Sequence, residues 1–273
     1  MVEILVHFVA PALVGVLIGV ASGLLGIGGG TVMVPIFRLA FGMSATMSTA
    51  TSLFAIIPTS ISGAISHAKG KTCIPALGIA AGLGGACMSP IGVWLAQLSP
   101  DWLVMLAAAL IIGYSAINMF KKAFKVPRAG QPAEGADAAA PTADDSSLSR
   151  KQLLQGAAIG LVAGLASGYV GVGGGFIIVP LMLSIIGIPM RKASGTSLIA
   201  VMILAIPGVI EQGIIGNINY LAGIAIVIGT IPGAVIGARL VTKVPERTLR
   251  LLFGCFLIVA AVMLVLNEVG IFG

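Results

Sequence analysis

Long apolar runs occupy most of this chain, and several of them have the length that crosses a lipid bilayer. A spanning helix needs about 20 apolar residues. Hydrophobic residues make up 58% of the sequence and charged residues 9%, whereas about 25% of the residues in a soluble domain are charged. We therefore predict an all-α polytopic membrane protein in the cell's inner (cytoplasmic) membrane, with the lipid bilayer as its surroundings.

A glycine-rich stretch interrupts two of these apolar runs at corresponding places. It reads GLLGIGGGTVMVP at residues 23–35 and GYVGVGGGFIIVP at residues 168–180. Glycine costs about 1 kcal/mol relative to alanine inside a helix. Each stretch therefore predicts a break between two helical arms.

The two breaks belong to a longer internal repeat with an offset of 145 residues. Glycines, prolines and a Thr-Ser-Leu block recur without a gap, which indicates an internal duplication. We predict a first repeat over 1–120 and a second over 153–273. The Ala-, Pro- and Asp-rich segment 121–152 between them is predicted to be a disordered cytoplasmic linker. The matched pairs include Gly15 and Gly160, Gly19 and Gly164, Ala21-Ser22 and Ala166-Ser167, Gly23 and Gly168, and Thr51-Ser52-Leu53 and Thr196-Ser197-Leu198.

Two arrangements of the halves follow from the apolar segments. Each half has two arms around its glycine break and then three longer segments. If the arms form a hairpin of short or re-entrant helices, each half ends on the opposite side from its start, and the halves are inverted repeats. If the arms form one broken crossing, the halves are parallel. The segments are 9–27, 31–41, 50–66, 74–96 and 103–120 in the first half, and 153–170, an arm to 188, 194–212, 219–240 and 250–267 in the second.

The distribution of positive charge favours inverted halves. With the linker in the cytoplasm, that arrangement places all of the 15 lysines and arginines except Arg38 on the cytoplasmic side. Parallel halves would divide them almost evenly. Lysine and arginine concentrate in cytoplasmic loops of membrane proteins, so we predict inverted halves with both termini external. The net charge of +6 then follows membrane topology and does not indicate nucleic-acid binding.

The two breaks are the main candidate for a binding site. The first amides of a helix lack intrahelical acceptors and lie at the positive end of the helix dipole, which suits an anion. The predicted membrane centres contain no lysine or arginine, so these amides are their main source of positive potential. The amides belong to Gly28, Gly29, Gly30, Thr31, Gly173, Gly174, Gly175 and Phe176; the predicted side-chain donors are Thr51, Ser52, Thr196 and Ser197. Helix packing alone would also explain these glycines and hydroxyls.

Few other residues have side chains suited to proton transfer, catalysis or metal binding. His67, which we expect at a solvated cytoplasmic helix end, and Glu211 are candidates for a proton relay that couples transport to a proton. The membrane part offers no cluster of His, Cys, Asp and Glu. We therefore predict no catalytic residue, no metal site and no cofactor.

The duplicated break resembles that of the sulfite exporter TauE/SafE family, also called the toluenesulfonate uptake permeases. The resemblance rests on Gly26–Gly30 with Pro35, on Gly171–Gly175 with Pro180, and on the Thr-Ser-Leu block after each. It covers essentially the whole chain except the linker. It implies a secondary transporter or exporter of a small sulfur oxyanion or sulfonate, such as sulfite, which inverted halves would move by alternating access. The alternatives are a passive anion channel, a transporter of a non-sulfur organic anion such as a small carboxylate, and a membrane-embedded enzyme or assembly factor.

Overall fold

The computed structural model describes residues 10–124 and 149–268, and they form helices joined by short connections. Within these ranges no strand is present. The first half contains α1 (Ala10–Leu25), α2 (Gly30–Phe41), α3 (Ala45–Lys69), α4 (Pro75–Leu98) and α5 (Asp101–Phe124). The second half contains α6 (Arg150–Val170), α7 (Gly175–Leu181), which continues in a π-helical turn (Met182–Ile186), α8 (Met190–Ile215), α9 (Tyr220–Leu240) and α10 (Glu246–Glu268).

Seven of these helices are long and apolar enough to cross a membrane, namely α3, α4, α5, α6, α8, α9 and α10. The helices α1 and α2, and α7 with its π turn, are shorter and apolar. The prediction of an all-α polytopic membrane protein is therefore confirmed. Three of the four arms around the breaks are short, whereas α6, the first arm of the second half, is long enough to span a membrane. Helices α5 and α6 extend into both ends of the predicted linker. The rest of that linker and both termini lie outside the described residues.

The first arm of each half packs along a helix of the other half. Positions along α1 face positions of α9 in the same order, so the two helices run parallel; α6 runs parallel to α4 in the same way. The contacts are Gly15 with Ile226, Gly19 with Thr230 and Gly23 with Ala234, and then Gly160 with Ala81, Gly164 with Gly85 and Gly168 with Ser89. Every residue of the second set is 145 positions from a residue of the first. The glycine ridges thus bring backbones close together across the two halves.

Helices α3 and α8 cross antiparallel between these two pairs. Gly63 lies against Leu198, whereas Gly208, further along α8, lies against Leu53 near the start of α3. Helix α3 also contacts α9, where the Thr59 and Thr230 hydroxyl oxygens are 2.6 Å apart. The antiparallel pair forms the centre of the described molecule, and both glycine breaks rest against it.

The last helix of each half, α5 or α10, begins with an acidic residue. Its carboxylate accepts a hydrogen bond from the start of a central helix, α3 or α8. The amide of Ala45 donates to the Asp101 carboxylate at 3.3 Å. The amide of Met190 donates to the Glu246 carboxylate at 2.7 Å. Because a carboxylate is favourable at the positive end of a helix, these contacts fix where each central helix begins.

Candidate functional site

The two glycine breaks meet at the centre of the molecule, beside α3 and α8. A Cβ atom built on Gly30 would lie 2.7 Å from the carbonyl carbon of Val172, and one built on Gly175 would lie 2.5 Å from the carbonyl oxygen of Gly26. All residues of both breaks are buried. The sequence stretches that are 145 residues apart therefore form one site.

Three glycines in each break have a left-handed backbone. Residues with side chains rarely adopt positive φ, because the Cβ atom meets the backbone, so these positions require glycine. The φ angles are 76° at Gly26, 81° at Gly28 and 87° at Gly29, and 72° at Gly171, 86° at Gly173 and 56° at Gly174. The glycines with these angles lie at corresponding places in the two breaks, where α1 and α6 end and α2 and α7 begin.

Most amides of the two breaks have no acceptor among the residues that the structure describes. Among the described residues, the amides of Gly28 to Thr31 donate to no carbonyl or side chain, and neither do those of Gly173, Gly174 and Phe176. The Gly175 amide lies 2.5 Å from the Gly173 carbonyl oxygen. These amides lie at the N-terminal ends of α2 and α7, so the helix dipoles add positive potential. The predicted anion site requires such an arrangement.

The two serines that the sequence analysis selected clamp the breaks. The Ser197 hydroxyl donates to the Gly26 carbonyl oxygen at 2.7 Å, and the Ser52 hydroxyl donates to the Gly171 carbonyl oxygen. Each clamp joins the central helix of one half to the break of the other half. Their hydroxyl protons are therefore engaged within the protein.

The two threonines of the same blocks hold helix starts. The Thr51 hydroxyl accepts from the Asn219 amide at 3.0 Å, just before α9. The Thr196 hydroxyl accepts from the Ile74 amide at 2.9 Å, just before α4. A hydroxyl that accepts from a free N-terminal amide stabilises the helix that follows, so both threonines position the helices around the site.

Two of the buried hydroxyls without a partner in the described chain, those of Ser22 and Ser167, lie beside the breaks, and sequence reasoning did not select them as ligands. A Cβ atom on Gly29 would lie 3.7 Å from the Ser22 Cβ atom, and one on Gly174 would lie 3.5 Å from the Ser167 Cβ atom. Both serines are fully buried. The buried hydroxyls that make no hydrogen bond to the described protein include those of Ser22, Thr31, Ser48, Ser60, Ser89 and Ser167. The available signal was the recurrence of Ala-Ser at 21–22 and 166–167.

The immediate neighbours of the breaks are uncharged. Within the described ranges, the side chains nearest to the break glycines are aliphatic groups, serines and threonines, such as Ile56, Val201 and Ser60. Unpaired buried donors are costly and call for a compensating partner. In this apolar setting, backbone amides and hydroxyls are the groups that an anion would meet.

His67 is fully buried, so the expectation of a solvated helix end is wrong. Its Nε2 atom is 2.7 Å from the Gly23 carbonyl oxygen, and its Nδ1 atom is 2.7 Å from the Thr72 hydroxyl oxygen. The imidazole therefore joins the end of α3 to the end of α1. The tight turn after α3 places Thr72 beside it, and the sequence alone did not indicate this.

The structure does not bring the two proton-relay candidates together. His67 and Glu211 both lie near the C-terminal ends of their helices. Because α3 and α8 are antiparallel, those ends point to opposite sides of the molecule. One carboxylate oxygen of Glu211 is buried and has no hydrogen-bond partner in the described chain.

Comparison with known proteins assigns the chain to a family. The model of the sulfite exporter TauE/SafE family matches residues 11–264. The probable membrane transporter protein YunE of Bacillus subtilis is 27% identical over 97% of this chain and 99% of its own length. A probable membrane transporter protein of Haemophilus influenzae is 29% identical over 93% of this chain and 97% of its own length. No solved structure gives a significant match. The chain therefore belongs to the sulfite exporter TauE/SafE family of membrane transporters.

Proposed function

We propose that this protein moves a small sulfur oxyanion or sulfonate, of which sulfite is the simplest example, by alternating access. The observation that carries the proposal is the pair of abutting glycine breaks. Most of their amides have no acceptor among the described residues, and the Ser22 and Ser167 hydroxyls, which have no partner there either, lie beside them. Helix N-termini in transporters bind anionic groups in this way.

The number of oxygens on the anionic group favours a sulfur oxyanion as the substrate. A sulfite or sulfonate group presents three oxygens around one sulfur, so it can accept from both breaks and from a hydroxyl at once. A carboxylate presents two oxygens and would leave more donors unpaired, which is costly in a buried site. The family description, sulfite exporter, agrees with this choice.

The contact pattern supports inverted halves. The distribution of lysine and arginine supports the further proposal that the linker is cytoplasmic and both termini are external, in the inner membrane. Helices α3 and α8 contain the matched Thr-Ser-Leu blocks and cross antiparallel. A two-fold axis in the membrane plane would relate two such helices. The residues through which α1 contacts α9 are each 145 positions from the residues through which α6 contacts α4.

Alternating access fits the site better than an open channel does. Both breaks and the serines beside them are buried, so a substrate must enter through a change of conformation. The Ser52–Gly171 and Ser197–Gly26 bonds are equivalent clamps between opposite halves. We propose that one clamp opens when the site faces one side of the membrane, and that the other opens when it faces the other side.

Replacing Ser22 and Ser167 by alanine should separate binding from stability. Each change removes a buried hydroxyl that has no partner in the described part of the chain, so the free energy of unfolding should stay constant or rise by up to about 1 kcal/mol. A hydrogen bond to an anion contributes about 1.5–3 kcal/mol, so the affinity for sulfite should fall by a factor of about 10 to 150. Calorimetric titration with sulfite and thermal unfolding in detergent measure the two quantities.

The matched control for these variants is Ser197→Ala, which removes the hydroxyl that donates to Gly26. Here stability should fall by about 1 kcal/mol, because a buried carbonyl loses its partner. If Ser22→Ala lowered stability as Ser197→Ala does and bound sulfite normally, the hydroxyl would be a packing group and the site assignment would be wrong.

The proposed topology has its own test. Reporter domains that are active on only one side of the membrane would be fused after residue 124 or after residue 273. We expect the fusion after 124 to report the cytoplasm and the fusion after 273 to report the outside. The same side for both fusions would contradict inverted halves and would require parallel ones.

A further inference from the structure

A groove lies on the outer surface of the described molecule, between α5 of the first half and α6 and the arm α7 with its π turn of the second half. Its volume is about 400 Å³, and its walls are mainly apolar. Ser115, Asn118, Lys122 and Ser184 add polar groups to it. The groove is separate from the central breaks, and the transport mechanism does not use it. Pockets of this size commonly hold small ligands.

Lys122 forms the charged end of the groove. Its ammonium donates to the Pro180 carbonyl oxygen at 2.8 Å and to the Ser184 hydroxyl, and an ammonium has three donors, so one remains. Arg250 lies beside it, with its guanidinium 3.4 Å from the Lys122 carbonyl oxygen. The carboxylate nearby, Glu246, is paired with Arg250 at 2.8 Å. In the described chain no acidic side chain lines the groove.

Three of the polar residues that line the groove have apolar counterparts in the repeat. The residues 145 positions from Ser115, Asn118 and Ser184 are Ala260, Met263 and Leu39, which are apolar. The π-helical turn after α7 has no counterpart in α2, which is a regular α-helix. Such turns are frequent at functional sites. The duplication of the fold therefore does not account for the polar groups in the groove.

The position of the groove matches one leaflet of a bilayer. At 1.5 Å per residue, Lys122 lies about 32 Å along α5 from Asp101, which is close to the thickness of the hydrocarbon core. Lys122 is therefore at headgroup level. Ile111, at the other end of the groove, is about 16 Å deeper, near the bilayer centre. Tyr114 and Val162 are 69% and 57% exposed, so the groove opens sideways toward lipid.

We propose that this groove binds one anionic phospholipid. The lipid phosphate would accept from the remaining N–H of the Lys122 ammonium, since the Ser184 hydroxyl donates to the Pro180 carbonyl oxygen at 2.6 Å, and one acyl chain would lie along the apolar wall toward Ile111. Basic pockets between transmembrane helices bind acidic lipid headgroups by this chemistry. A bound lipid would brace α7, the arm that begins at the second glycine break, against α5.

The test uses the full-length, delipidated protein in neutral detergent, with lipid binding measured by native mass spectrometry and thermal unfolding. Phosphatidylglycerol should be retained and should raise the unfolding temperature, and phosphatidylcholine with the same chains should do neither. Lys122→Ala should weaken phosphatidylglycerol binding about tenfold. Lys121→Ala is the matched control, because Lys121 is exposed and lies outside the groove; its binding should equal that of the wild type.

Val162→Trp keeps the charge and fills the groove, so it tests the site even if Lys122→Ala does not fold. It should also weaken phosphatidylglycerol binding. Equal binding by the wild type, Lys122→Ala and Val162→Trp would overturn the proposal. So would binding of inorganic phosphate or sulfite in the groove as tight as that of the lipid, with the same dependence on Lys122, because the groove would then hold a free anion.

Discussion

One methyl group at Gly160 should be enough to prevent stable folding. The position lies where α6 packs along α4, and a Cβ atom there would be 2.7 Å from the carbonyl carbon of Ala81. Real Cβ atoms essentially never come so close to another atom, and the obstacle is helix backbone that cannot rotate away. The helices must separate, and we expect Gly160→Ala to lower the free energy of unfolding by about 3 kcal/mol or more.

Gly113→Ala is the matched control for that variant. Gly113 lies within α5, and no atom within 4 Å would meet an added Cβ. Alanine is about 1 kcal/mol better than glycine in a helix, so this variant should be slightly more stable than the wild type. Size-exclusion profiles and thermal unfolding in detergent measure both variants. If Gly160→Ala were as stable as Gly113→Ala, the close parallel packing of α6 on α4 would be wrong.

The sequence can indicate which helices make close contacts, but it does not indicate their partners. Glycines at four-residue spacing indicate a small-residue ridge, and Gly160, Gly164 and Gly168 form one. The nearly uniform apolarity of the chain gives no means of choosing the facing helix, and the partner is α4 of the other half. The repeat offset shows that α1 must then pair with α9, once one of the two pairs is known.

The sequence predicted the two helix breaks at the candidate site, but it did not predict the contacts of the side chains around them. A glycine triplet in an apolar run predicts a break, because helix propensity is local. The roles of Thr51 and Thr196 depend on helix starts far away in the chain, and no local pattern encodes them. Ser22 and Ser167 lie beside the breaks and have no hydrogen-bond partner among the described residues, which only the packed structure reveals. The burial of His67 likewise depends on Gly23, which is distant in sequence.

Substituting alanine in either break should reduce transport more than tenfold while the protein still folds. At Gly29 an added Cβ would come within 3.0 Å of side-chain ends only, those of Ile18 and Met33, which can shift. The left-handed φ of 87° adds about 1–2 kcal/mol of strain. Relief of that strain turns the neighbouring amides away from the anion, and each lost bond to an anion contributes about 1.5–3 kcal/mol. Gly174→Ala should behave alike, because we propose that both breaks hold the same anion.

The chain offers a control with the same strain away from the site. Gly42 and Gly187, which are 145 residues apart, end the second arms with φ of 60° and 79°, and neither has an atom within 4 Å of an added Cβ. Gly42→Ala and Gly187→Ala should therefore lose similar stability and transport sulfite into proteoliposomes at the wild-type rate. If Gly29→Ala transported as fast as Gly42→Ala, the glycines would serve only the backbone turn. A loss confined to the break variants, equal in both halves, would instead require that the substrate contacts the two breaks together.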